Sequence, residues 1–394
     1  MRRWTALPLL FVMGFAALMP EDASQARAAD PVVETFRTAD GVQLQGLFHK
    51  SEVNPGSDPV VIMMYPPGKD KDMTKGDWKG LANKLAAKGF NVFRFDWRGH
   101  GQSTDIKDVN KFWNIPTPNN PNIAPNPFSG PWNVKYITGA PVGKFANKRI
   151  KNDLYYKDIK DPVRYAPTLL LDLAAVRYHL DTKNDAGEVN TSSIYLIGSE
   201  VTATLGMAWM TAEWNRPKTA PNENALGGAP RYEYVPQPLF GTITEAGEDI
   251  SGAIWLSGTR PTSVRPQLVQ DWVSRGATKL RDNNPMLFLY AGKDQKAQAD
   301  ADFFYNQVLV ANPPKTSKLQ PLEFTKIREI KNKDGKAIDL TGVALLGNNA
   351  QLETEDTIEK FLQFLQKDRA KIVRKNRNFD KPYFIDLSKF GLIP

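Results

Sequence analysis

The chain has 394 residues, a formal charge of +8 and no cysteine, which excludes disulfides, zinc–thiolate centres and cysteine nucleophiles. Hydrophobic residues make up 41%, enough for a full core, and the modest cationic excess does not call for a specific nucleic-acid partner.

Met1-Arg-Arg-Trp is cationic, residues 5–19 are apolar but too short for a comfortable membrane span, and Ala26-Arg27-Ala28 supplies small residues for cleavage. The pattern predicts a secretory signal over residues 1–28, with no transmembrane span once it is removed. Its loss takes away three positive and two negative charges and leaves +7. An exported chain without disulfides must rely on core packing, which suits a bacterial periplasm or a secreted protein. The paired arginines lack the usual twin-arginine context, and the export route stays open.

Residues 34–50 read as a hairpin about Asp40-Gly41, and residues 59–65 as a buried strand that ends in Tyr65-Pro66-Pro67-Gly68. Asp77 is placed to cap a helix whose inner face carries Trp78, Leu81, Leu85 and Ala86, with Gly89 as its stop. Residues 91–95 form the next strand, which runs into Asp96-Trp97-Arg98-Gly99-His100-Gly101-Gln102-Ser103. An Asn/Pro-rich insertion follows over residues 104–160, and Trp113, Phe128, Trp132 and Tyr136 argue against disorder throughout. It leaves the C-terminal end of a parallel strand, so it either borders a ligand crevice or packs as a surface decoration.

A helix over residues 167–180 leads to residues 193–203, Ser-Ile-Tyr-Leu-Ile-Gly-Ser-Glu-Val-Thr-Ala, where an apolar strand turns straight into a helix. That is the frame of a nucleophile elbow, in which small residues flank the central position by two. Gly198 and Thr202 are those flanks, so Glu200 is the centre. Ser199 stands one place too early, since Ile197 and Val201 would then crowd the turn. A plain strand-to-helix junction with a solvated Glu is the alternative.

A Pro/Gly-rich connection occupies residues 217–247; a strand follows over 251–257 and a helix over 264–275. Residues 285–290 form a strand that runs into Ala291-Gly292-Lys293-Asp294, and residues 297–310 read as helix. Residues 322–330 alternate like an edge strand, and residues 356–365 form the closing helix. The tail over residues 367–394 begins with a basic run and ends with Tyr383, Phe384, Ile385, Leu387 and Phe390. It reads as a solvated helix end followed by a strap packed on the body.

Hairpin, strand with glycine loop, helix, strand with D-x-R-G-H-G-x-S, helix and elbow together resemble the α/β-hydrolase superfamily over residues 34–365, interrupted by the insertion and the connection. The resemblance implies an α/β fold, an α/β-hydrolase-like sandwich with a mostly parallel central sheet and helices on both faces. One domain would span residues 29–366, with the tail outside it. It implies an oxyanion hole from the loop after the strand over residues 59–65 and from the residue after the elbow centre. Pro66 and Pro67 have no N–H, which leaves Tyr65, Gly68 and Val201 as donors. Asp294 takes the position of the catalytic acid, and His100 is a structural hydrogen-bonding residue of its loop.

The family's histidine lies between the last strand and the closing helix, where this chain reads Asp339-Leu-Thr-Gly-Val-Ala-Leu-Leu-Gly-Asn-Asn-Ala-Gln-Leu. His49, His100 and His179 all precede the elbow, His179 reading as a helix-end residue, and Asn348 or Asn349 falls nearest the vacant position. A serine hydrolase needs a hydroxyl, an imidazole and an orienting acid, and only the acid is retained. The leading expectation is an exported hydrolase-fold protein without serine-hydrolase activity, holding an unknown small molecule or polymer in its pocket. The alternatives are an ester or amide hydrolase that uses Glu200 and Asp294, and weak contact with an anionic surface through the basic tail. No motif calls for a metal or a cofactor.

Overall fold

Short apolar runs without polar alternation become strands buried on both faces. The structure, a computed structural model, describes residues 30–116, 126, 128–141, 150–219, 244–262, 264–310, 325–347, 352–369, 371–380, 382–385 and 387. The predicted hairpin is β1 (Val32–Arg37) and β2 (Gln43–His49). β3 (Pro59–Met64), α1 (Trp78–Ala87) and β4 (Asn91–Phe95) follow, every residue of the two strands being buried. The insertion contributes α2 (Val109–Trp113) and α3 (Gly130–Tyr136), and α4 (Pro162–Tyr165) leads to α5 (Leu170–Asp185). Then come β5 (Asn190–Ser199), α6 (Thr202–Glu213), β6 (Ile250–Leu256), α7 (Pro266–Asn283) and β7 (Met286–Ala291). α8 (Gln295–Phe303), β8 (Lys326–Ile330) and α9 (Thr354–Arg369) complete the fold.

The eight strands lie in the order β1-β2-β4-β3-β5-β6-β7-β8. β2 is antiparallel to both its neighbours, and every pairing from β4 to β8 is parallel. Helices cover both faces, because successive strand residues point to opposite sides. Gly252 of β6 faces Leu365 of α9, whereas Trp255, three residues on, meets Gly206 of α6. On the α9 side, Lys84 of α1 pairs with Asp356 at 2.5 Å and with Glu359 at 3.7 Å. This is an α/β-hydrolase-like sandwich with a mostly parallel sheet.

Several boundaries differ from expectation. β5 runs four residues before Ile194 and α7 extends to Asn283, because packing on the sheet carries each beyond its own apolar signal. Asp77 stands at the start of α1 but makes no side-chain cap. α8 ends at Phe303 and continues as one π-helical turn, Phe304–Leu309. His179 lies within α5, not at its end; its Nε2 is 2.6 Å from Glu34 Oε2, and its ring stacks on Phe36. The leader and most of the 217–247 connection fall outside the described residues.

The insertion is stitched to its own root. Leu154 N–H donates to Thr104 O at 2.8 Å, Ile106 N–H to Asn152 O at 2.9 Å, and Trp113 Nε1–H to Lys151 O at 2.7 Å. Beneath it lies a fully buried ion cluster. Arg98 gives two bonds to Asp40 at 2.8 and 3.0 Å, and its Nε–H and backbone N–H both reach Asp172. Ser129 and Thr38 also donate to Asp40. Burial disfavours the Arg98 cation, but the two carboxylates outweigh that cost and hold it charged.

The tail is drawn onto the body. Arg377 is fully buried; its Nη2 meets Asp249 at 3.1 Å and Ser192 Oγ at 2.8 Å, beside the Arg177–Asp181 pair of α5. Asp185 accepts from the N–H groups of Arg377 and Asn378, and Tyr383 donates to Glu213 at 2.8 Å. Tyr383, Phe384, Ile385 and Leu387 are buried.

Removing one partner of a buried pair leaves an uncompensated charge. Asp40→Ala is therefore expected to lower stability by about 3–5 kcal/mol, read from the urea midpoint at unchanged slope.

Candidate functional site

β5 delivers the chain to the elbow, and the backbone strain falls on Glu200 (φ +53°), not on Ser199. That left-handed conformation costs a non-glycine residue about 1–3 kcal/mol. Three main-chain bonds enforce it: Glu200 N–H donates to Leu256 O at 2.9 Å, while Glu200 O accepts from Thr259 N–H at 2.9 Å and Ala203 N–H at 3.1 Å. The small flanks pack on each other. A Cβ at Gly198 would run into Thr202 Oγ1 and come within 3.1 Å of the Trp255 ring. The Thr202 hydroxyl in turn donates to Ser199 O at 2.7 Å, closing the turn. Ser199 is fully buried, and its Oγ makes no hydrogen bond among the described residues.

The Glu200 carboxylate makes no hydrogen bond or ion pair among the described residues, and it lies against Gly342. A Cβ at Gly342 (φ +57°) would sit 2.6 Å from Glu200 Oε1. Next to it, Thr341 Oγ1–H donates to Asp294 Oδ2 at 3.2 Å, while Asp294 Oδ1 caps α8 by accepting from Ala297 N–H at 3.0 Å. The connection between β8 and α9 thus reaches both Asp294 and the elbow, bringing a hydroxyl to one and a glycine to the other. Asn348 and Asn349 lie outside the described residues. The sequence reading missed Thr341 and Gly342, whose only local signal is a glycine in a largely apolar run over residues 337–346.

All three histidines of the chain are engaged elsewhere. His100 donates from Nδ1 to Arg98 O at 3.0 Å and accepts at Nε2 from Gly68 N–H at 2.9 Å. That commits the Gly68 donor, and Tyr65 and Val201 remain of the oxyanion candidates. Tyr65 is held by Trp97 Nε1–H on its carbonyl at 2.8 Å, and its hydroxyl donates to Asp96 Oδ1 at 3.2 Å. Burial, with Asp96 beside it, raises the Tyr65 phenol well above its ordinary range. Asp96 also accepts from Met73 and Gln102 N–H, and Ser103 Oγ–H closes on Asp96 O at 2.8 Å. The D-x-R-G-H-G-x-S residues therefore brace the loop beside the elbow. His49, on β2, donates from Nδ1 to Asn83 and accepts at Nε2 from the Arg94 guanidinium at 3.0 and 3.2 Å.

Above Val201 and Leu205 lies an apolar cavity of about 210 Å³ whose other wall is Ile159, Val163, Tyr165 and Pro67. The residues that close the insertion therefore border the elbow. Among the described residues, no three His, Asp or Glu side chains converge as a metal-binding group, and no helix is long and apolar enough to cross a membrane.

No family model matches the chain. A stretch of 68 residues is 35% identical to the uncharacterized protein YfhR of Escherichia coli (strain K12), spanning 17% of this chain and 23% of that protein. Among solved structures, Pyrococcus furiosus esterase Pf2001 covers 85% of this chain and 90% of its own, at 12% identity and a TM-score of 0.43. Esterase Est22 covers 86% and 81% at 11% identity and 0.44, and an alpha-beta serine hydrolase homologue from Coxiella burnetii 72% and 83% at 13% and 0.36. The α/β-hydrolase-like fold stands on this chain's own strand order and direction.

Two outcomes are expected. Gly342→Ala should cost about 1–2 kcal/mol, because the position needs a left-handed φ and the new methyl meets Glu200. Adding Glu200→Ala should recover at least about 0.5 kcal/mol of it in a double-mutant cycle. Burial and the neighbouring Arg94 and Lys79 charges push the His49 imidazole down to about 4. The folded state then binds fewer protons than the unfolded one below the ordinary value of about 6.5. Stability contributed by neutral His49 should be complete above pH ~6.5 and fall by about 3 kcal/mol as pH drops to ~4, a slope that His49→Gln removes in urea melts.

Proposed function

We propose that this chain is an exported binding protein built on the α/β-hydrolase scaffold, holding an organic ligand in the cavity beside the elbow without triad chemistry. One observation carries the reading: the segment that should present an imidazole between acid and elbow presents Thr341 and Gly342, and Thr341 engages Asp294. With His49, His100 and His179 each bound into other parts of the structure, no imidazole stands ready to take a proton at Glu200. Triad members act as a unit, and removing the nucleophile or the base costs about 10⁶-fold in kcat. A carboxylate nucleophile at Glu200 would still need a base to activate water against its ester. The tail reading draws less support, since Arg377 is sequestered and Arg374 is spent on Asn184 O. Export rests on the leader pattern of residues 1–28.

The test is hydrolysis of short- to medium-chain aryl esters by the wild type, Glu200→Gln and Ser199→Ala. All three are expected to match buffer. Turnover that depends on Glu200 would establish a carboxylate-dependent hydrolase instead.

A further inference from the structure

The apolar cavity beside the elbow has a neighbour. A groove of about 410 Å³ shares His100 and Tyr156 with it, the two ring centroids lying 5.0 Å apart, so that both residues line both spaces. Its rim carries Lys69, Lys71, Lys75 and Lys157 against Asp70 and Asp72. The two aspartates offset only two of the four lysine charges. Asp72 pairs with Lys75 at 3.9 Å while accepting from the Thr74 N–H and hydroxyl. Lys69, Lys71 and Lys157 make no ion pair among the described residues; Lys157 Nζ lies 5.3 Å from the centre of the Tyr155 ring.

We propose that the two spaces form one site for a single-chain amphiphile with an anionic head, its chain in the cavity over Val201 and its head among the lysines. This rests on the binding reading above and names the ligand's class. Three features select it. The inner space is walled by Ile159, Val163, Leu205 and Pro67, which reward apolar surface and offer no charge. The outer space has a net excess of unpaired cations, which complements an anion and gains little from a neutral head. Size excludes a two-chain lipid: a cavity of ~150 Å³ takes one benzene, so about 210 Å³ takes one chain of medium length.

The experiment is calorimetric titration of the purified full-length protein with sodium hexanoate, octanoate and decanoate, and with octanol, at low and high salt. Each added methylene is expected to tighten binding about three- to fourfold until the cavity is filled. Octanoate should bind more tightly than octanol and weaken with salt, because its head pairs with exposed lysines. The double variant Lys71→Glu/Lys157→Glu should weaken octanoate about tenfold. Its octanol affinity should not change, which also confirms that it is folded. Val163→Trp, which fills the inner space, should weaken both ligands. Octanol binding as tightly as octanoate, no dependence on chain length, or no effect of the lysine reversals would each overturn the proposal. Failures remain separable. Glu200-dependent hydrolysis of an octanoyl ester would defeat the binding role while leaving the octanoate affinities in place. A silent ester panel with no octanoate binding would defeat the amphiphile alone.

Discussion

Arg98 is a cation with no access to water, and it holds together elements distant in sequence. Its guanidinium takes Asp40 from the hairpin turn and Asp172 from α5, and Asp40 carries Ser129 from the insertion. The cluster succeeds energetically because every carboxylate oxygen that faces Arg98 is matched by a donor, the condition under which a buried ion pair is tolerable. Its placement matters more than its net strength. By fixing the loop that follows β4, it sets His100 against Gly68 and brings Tyr156 N–H onto Gly99 O at 2.8 Å. The two residues shared by the cavity and the groove therefore rest on an ion cluster that also reaches the cavity's own lining, through Asn133 to the Tyr165 hydroxyl.

The elbow is a strained turn whose geometry is set by the main chain. Strain at Glu200 persists because Leu256, Thr259 and Ala203 impose it through the main chain, whatever side chain projects. On the opposite wall, Gly342 leaves room for a carboxylate that a larger residue would exclude. Glu200 and Gly342 thus fit each other sterically, a longer acidic side chain on one side and a bare backbone on the other.

The sheet was legible in the sequence because its signals are local: unbroken apolar strands, a hairpin dipeptide and an eight-residue loop motif whose members bond to one another. The elbow was legible for the same reason, since Gly198 and Thr202 pack directly together four residues apart. Thr341 was not, because its bond to Asp294 crosses 47 residues and nothing in its own neighbourhood encodes it. The lysine groove was hidden likewise, being assembled from a turn near Lys71 and the returning end of the insertion at Lys157. Helix lengths were underestimated where tertiary contact stabilises turns that propensity alone would leave frayed.

The docking of Arg377 bears on what holds the tail. Asp181 and Asp249 are already met by Arg177, and Asp249 also by Lys218 at 3.3 Å. Arg377 therefore enters as a surplus cation, and burial with Arg177 and Arg216 beside it lowers its pKa although Asp249 and Asp181 favour the charge. The strap is thus fastened by the Asp185 and Ser192 bonds and by its buried Tyr383, Phe384 and Leu387, with charge neutralisation the lesser part.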